Sequence, residues 1–211
     1  VQGAVNDLKA TLGMKHVLTI YAYEDLIILE KEREHYQKAR YLYNVLDFFA
    51  EEKLGSHPAR IRGYNSRREI WERQGLFCRA AEVAGKAAES SLKYLGEHVI
   101  TANMYSHWCE CLVKAGEAAM ANHACAVSLA IREKLLGEHK DTALSNKMFA
   151  YLMLRGTHYD KALVYGQRAM HICQSLSLQQ KFIKDLNMIL SHSKKRQQQL
   201  IRSRPFLLSP D

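Results

Sequence analysis

The sequence predicts an all-α solenoid: antiparallel helix pairs stacked in series and closed by a C-terminal capping helix. Three observations predict it. Histidine recurs every 41 residues, at His16, His57, His98 and His139, and each follows a Leu-Gly pair (Leu12-Gly13, Leu54-Gly55, Leu95-Gly96, Leu136-Gly137). Alanine keeps the same interval at Ala39, Ala80, Ala121 and Ala162, always 23 residues after the histidine. A third series runs through Tyr23, Tyr64 and Tyr105 until Asn146 breaks it. Residue types held in phase over several periods mark a repeat architecture, in which each unit buries its apolar face only against its neighbours.

The elements follow in order. Residues 1–11 read as the tail of a preceding second helix, so another repeat is expected upstream. The chain opens on Val1 rather than Met and reads as the C-terminal piece of a longer one. Four repeats span 12–53, 54–94, 95–135 and 136–176. In the last, Ala143, Leu144, Met148, Phe149, Tyr151 and Leu152 recur at roughly helical spacing. Arg155-Gly156-Thr157 breaks that run, and Tyr159, Ala162, Leu163, Tyr165, Ala169, Met170, Ile172 and Cys173 form the next. Gly75, Gly116 and Gly156 mark the turn inside three repeats. The Gly of each Leu-Gly pair ends the second helix, where a left-handed residue is expected. The recurrent Ala permits close approach of two antiparallel helices, and Tyr36, Phe77 and Tyr159 stand three residues before it, with Ala118 the exception. Residues 177–202 carry a stripe of Phe182, Ile183, Leu186, Ile189 and Leu190 and form the capping helix. Residues 203–211 are expected to be disordered.

The run Leu136-Gly137-Glu138-His139, then Ala143, then Tyr159-Asp160-Lys161-Ala162 and Arg168-Ala169-Met170, resembles the tetratricopeptide repeats of kinesin-light-chain-like proteins, in their 42-residue form. Ile131-Arg132-Glu133-Lys134-Leu135-Leu136-Gly137 closes the preceding repeat in the same manner. The resemblance covers residues 12–176 and is strongest over 95–176. It implies a right-handed superhelix whose concave face, lined by first helices, binds partner peptides. The family often places paired Asn on those helices. Here the places read Glu24-Asp25, Asn65-Ser66, Ser106-His107 and Lys147-Met148, and only Asn65 keeps the family's residue. HEAT and armadillo units have similar periods; the Leu-Gly-x-His boundary and the fixed Ala favour the tetratricopeptide reading.

Composition narrows the function. Of 211 residues, 47% are hydrophobic and 25% charged, which suits a folded chain. No uninterrupted apolar stretch long enough for a membrane span occurs, and no membrane insertion is expected. The net charge is +8. The basic excess concentrates after residue 176, where seven Lys and Arg oppose two Asp. Five Cys, an odd number without framework spacing, suit a reducing compartment, with thiols serving as small core residues in a cytoplasmic protein.

Reactive chemistry is not indicated. Side chains one repeat apart are separated by roughly 10 Å, an interhelical spacing, whereas zinc holds ligands at about 2 Å. The His series is therefore expected to serve helix starts rather than a metal. His107-Trp108-Cys109-Glu110-Cys111 places only His107 and Cys111 on one helix face. No Gly-rich phosphate loop, His-Glu-x-x-His pair or nucleophile elbow occurs. The chain is expected to lack catalytic residues, cofactor, metal and small-molecule substrate. Lys194, Lys195, Arg196, Arg202 and Arg204 form a candidate basic patch, otherwise a solvated helix end. Arg60, Arg62, Arg67, Arg68 and Arg73 cluster on one helix with Glu69 and Glu72, which reads as a mixed exposed face.

The candidate site is the concave groove, lined by Tyr21, Glu24, Arg62, Asn65, Glu69, Asn103, Ser106, Lys147 and Tyr151. Asn65 and Asn103 would grip a peptide backbone. Arg62 and Lys147 would take acidic side chains, and Glu69 with Glu110 basic ones. The expected function is a non-catalytic adaptor holding a peptide or helix of another protein. The alternatives are a regulatory or oligomerisation array of a larger signalling or motor-associated protein and, last, nucleic-acid binding through the basic C-terminal helix.

Overall fold

The computed structural model describes residues 2–54, 59–177 and 179–203, with side chains 48–54, 59 and 203 left aside. The described residues form ten helices and no strand: α1 (Gln2–Leu12), α2 (Val17–Glu32), α3 (Tyr36–Leu54), α4 (Ala59–Arg73), α5 (Phe77–Leu95), α6 (Val99–Ala115), α7 (Ala118–Leu136), α8 (Lys140–Arg155), α9 (Tyr159–Ser175) and α10 (Gln180–Ser203). They fall into two compact units, Val1–Ala115 and Gly116–Asp211.

The period is written into burial. Ala39, Ala80, Ala121 and Ala162 are each completely buried. They sit at the fourth position of α3, α5, α7 and α9, whose first residues are themselves 41 apart. Tyr23, Tyr64 and Tyr105 are buried on α2, α4 and α6, and Asn146 takes the same place on α8 at 1% exposure. Its amide is kept inside by donating to the Thr142 carbonyl oxygen, at 3.1 Å. Ile20, Ile61, Ala102 and Ala143 form another buried series at the same interval.

Helix starts and stops repeat as well. His16, His98 and His139 each precede a first helix, and their Nδ1 atoms accept from the backbone N–H two residues on, at 3.1 to 3.2 Å. A capping acceptor satisfies an amide that the helix itself leaves unpaired. His57 lies outside the described residues. Gly13, Gly96 and Gly137 have positive φ where α1, α5 and α7 end. The turn inside each pair places its left-handed residue at Glu34, Gly75, Gly116 and Thr157, again 41 apart. This corrects the reading of Gly156 as the matching breaker. Gly156 has φ −82°, an ordinary value, and Thr157 carries the strain one step later.

In the first unit α1 packs on α2 through fully buried Val5, which joins Ile20, Tyr23, Leu26, Ile27, Ala39, Tyr43 and Ile70 in one apolar cluster. Glu24 is enclosed among these elements at 3% exposure. A methyl group at Gly63 of α4 would lie 2.7 Å from Glu24 Oε1, so the glycine makes room for the carboxyl. Arg62 Nε stands 3.8 Å away, too far to compensate the lost hydration. Burial therefore pushes the Glu24 pKa from 4.5 up to about 7.

In the second unit α10 lies against α9 and α8. Leu186 is fully buried with Ala143, Ala169, Ile172 and Cys173, and Phe182 and Ile183 pack beside it. The stripe expected of a capping helix thus does cover the last pair. Arg204 and the rest of the tail lie outside the described residues.

Two outcomes test this packing. Ala80→Leu should destabilise the chain by about 1 to 3 kcal/mol in urea unfolding, because the extra carbons have no space to enter. A cost near zero would show that the helices at this step are not closely apposed. Glu24 binds its proton more tightly in the folded chain than in the unfolded one. Its contribution to stability is therefore full below pH 4.5 and is lost as pH rises to about 7. Glu24→Gln should flatten that slope and be the more stable chain at pH 8, by about 1 to 3 kcal/mol.

Candidate functional site

The first helices of the first unit carry most of the groove residues expected from sequence. Tyr21 is exposed on α2; Asn65 and Glu69 on α4, and Asn103 and Ser106 on α6, are half-buried. Arg62 is exposed. Glu24 is not a surface residue. In the second unit Lys147 and Tyr151 are half-buried on α8.

Charges on these helices pair with one another. Arg62 donates to Asp25. Lys31 Nζ lies 2.5 Å from Glu69 Oε2. Glu72 binds Arg68 on its own helix and Lys114 of α6, the latter at 2.9 Å. The Asn65 amide donates to Glu69 at 3.3 Å, and its oxygen accepts from Arg68 Nε at 3.1 Å. The pairing repeats with the signs exchanged. Lys147 and Asp185 stand three periods after Glu24 and Arg62. They form an ion pair of 3.3 Å between α8 and α10, where Lys147 also lies over the Phe182 ring at 4.3 Å. These positions, expected to meet a ligand's charges, meet each other, because successive first helices are close enough for long side chains to span them.

The arginine cluster of α4 also differs from the exposed face expected of it. Arg60 and Arg68 are 5% exposed. Arg60 faces Asp47 at 3.0 Å and lies over the Tyr64 ring. With Arg67 and Trp71 these side chains floor an open groove of about 980 Å³ between α3 and α5. Arg40, Asn44 and Asp47 form one wall, and Arg79, Glu82, Val83 and Lys86 the other. The walls have a sequence signal, since Arg40, Asn44 and Asp47 fall at i, i+4 and i+7 and share one helical face. The recurrent residues define the repeat but do not include them.

The remaining chemical candidates sit as follows. Among the described residues no group of three His, Cys, Asp or Glu converges to hold a metal ion. Cys78, Cys111 and Cys173 are free thiols, whereas Cys109 and Cys125 are each disulfide-bonded, which corrects the expectation that all five cysteines serve as thiols. Burial pushes Cys111 up to about 12, so its thiol stays protonated and packs as a small apolar group. Lys194, Lys195, Arg196 and Arg202 are exposed along α10. No described helix is long and apolar enough to cross a membrane.

No family model and no curated relative matches the chain. Solved structures do. BtubC (BKLC) from P. vanneervenii matches with a TM-score of 0.69 at 16% identity, over 99% of this chain and 91% of that one. The nearly identical TPR-like repeats of a Podosopora anserina kinesin light chain-like protein match with a TM-score of 0.65 at 16% identity, over 89% of this chain and 99% of that one. A single-substitution variant of those repeats gives a TM-score of 0.66 over the same shares. At this identity the likeness rests on backbone architecture. The chain has the fold of tetratricopeptide-like helical repeats, and the HEAT and armadillo alternative falls away.

Proposed function

We propose that the chain is a non-catalytic protein-interaction module, which holds a peptide or helix of another protein against the first-helix face of its first unit. One observation carries the reading. That face is polar yet electrically self-neutralised: Arg62 with Asp25, Lys31 with Glu69, and Glu72 with Arg68 and Lys114. A face of paired charges offers hydrogen bonds and an exposed tyrosine, Tyr21, without a net field. Such a surface suits a polypeptide of mixed character. A nucleic-acid backbone would require unpaired cations along it. Stacked helical repeats present extended surfaces of this kind, and partner recognition commonly uses them. Asn65 and Asn103, on neighbouring first helices, are the groups assigned to the partner's backbone. Setting the module in the cytoplasm is part of the same proposal; free Cys78, Cys111 and Cys173 suit it, and disulfide-bonded Cys109 and Cys125 count against it.

Peptides selected from a random display library against this chain supply the test ligand. Asn65→Ala combined with Asn103→Ala should weaken the selected peptides by about tenfold, near 1.4 kcal/mol, with the far-ultraviolet dichroism unchanged. Full affinity in the double variant would remove the first-helix face as the site.

A further inference from the structure

We infer that the groove between α3 and α5 is a binding site for an oxyanion of the phosphate class, gripped by Arg40 and Arg79. The charges of this groove do not cancel. The described lining includes five cations, Arg40, Arg60, Arg67, Arg79 and Lys86, and two carboxylates, Asp47 and Glu82. Both carboxylates are already engaged. Asp47 takes Arg60 and Arg67. Glu82 is one helical turn from Lys86 and pairs with it at 3.4 Å. Arg40 and Arg79 are left without a carboxylate partner among the described residues.

What these two arginines do contact is the same ring. Their guanidinium carbons lie 4.5 and 5.2 Å from the centroid of Trp71, one reaching in from α3 and the other from α5. Trp71 is 6% exposed, so the indole is a buried platform rather than a surface for a ligand to stack on. A guanidinium resting on an aromatic face keeps its charge and its in-plane donors while losing rotational freedom. Arg60 over Tyr64 and Arg67 over Tyr43 repeat the device deeper in the groove. Arg67 is held below its ordinary pKa by desolvation, against the opposing pull of Tyr43 and Glu82, and Arg40 adds a smaller like-charge repulsion. Two pre-set planar forks, unneutralised and converging at one ring, fit an anion with several oxygens. A phosphate accepts such forks bidentately and relieves the repulsion among the cations. The groove is roomy enough for the anion to arrive on a small molecule or on a side chain of a docked polypeptide.

The test is calorimetric titration of the chain with inorganic pyrophosphate at low salt. A saturable one-to-one site is expected. Arg40→Gln with Arg79→Gln should weaken it by at least about tenfold. Arg40→Lys with Arg79→Lys should recover part of that loss, since charge returns but the fork does not. Lys194→Gln with Lys195→Gln on α10, and Asn65→Ala with Asn103→Ala, should leave it unchanged. The last pair separates this site from the peptide-binding face. A second arm compares degenerate phosphoserine peptides with their serine counterparts. Preference for the phosphorylated set assigns the anion to a polypeptide, and pyrophosphate binding alone assigns it to a free phosphate compound. Absence of saturable binding, or binding lost on changing the α10 lysines but not Arg40 and Arg79, would overturn the inference.

Discussion

The structure depends on one steric condition. At the same step of every second helix the side chain must end at Cβ. Ala39, Ala80, Ala121 and Ala162 meet it, and all four are sealed from solvent. An alanine there lets one helix lie directly on its neighbour and loses no rotamer freedom on burial. Larger residues then fill the space to either side, as Tyr23, Tyr64 and Tyr105 do on the first helices. Because the condition recurs at a fixed interval, helices inside each unit pack by the same rule. That is how helices with no strand ladder among the described residues build an apolar interior.

Polar groups refine this stack rather than create it. Histidine caps satisfy the starts of α2, α6 and α8, and left-handed residues close the turns. Between successive first helices the Glu24–Arg62 contact and the Lys147–Asp185 pair occupy equivalent positions with reversed charge. Only the second of the two is a close ion pair, at 3.3 Å; Arg62 donates to Asp25 instead. Glu24 and Lys147 differ in their surroundings, however. The glutamate is shut in behind Gly63 and is driven toward its neutral form, whereas the lysine keeps one side on solvent and the other on the Phe182 ring.

Features repeated along the chain were legible in the sequence, because three periods of evidence stand behind each residue. The alanine series, the histidine caps and the glycine stops belong here. The stripe of α10 occurs once but was legible from helical spacing within its own segment. Features that occur once and arise from contacts across helices were not legible. The burial of Arg60 and Arg68 comes from contacts across helices, with Asp47 and Tyr64 for the first and Glu72 for the second. Nothing along α4 distinguishes them from a solvated charge run. The convergence of Arg40 and Arg79 on Trp71 joins three helices and likewise leaves no mark on any one of them. The turn at Thr157 eluded the reading for a different reason: a neighbouring glycine gave a local signal stronger than the phase of the repeat.

Removal of one whole period tests the repeat account most directly. Deleting residues 75–115 takes out a turn and the helices α5 and α6, and joins Gln74 to Gly116 in the phase that Gly75 occupied. If equivalent pairs stack in series, the shortened chain keeps its helicity per residue and still unfolds cooperatively, with a smaller denaturant slope in keeping with its smaller buried surface. Collapse to a non-cooperative or largely unfolded chain would mean that the helices are interlocked in a way that no single period can leave, and would contradict serial stacking.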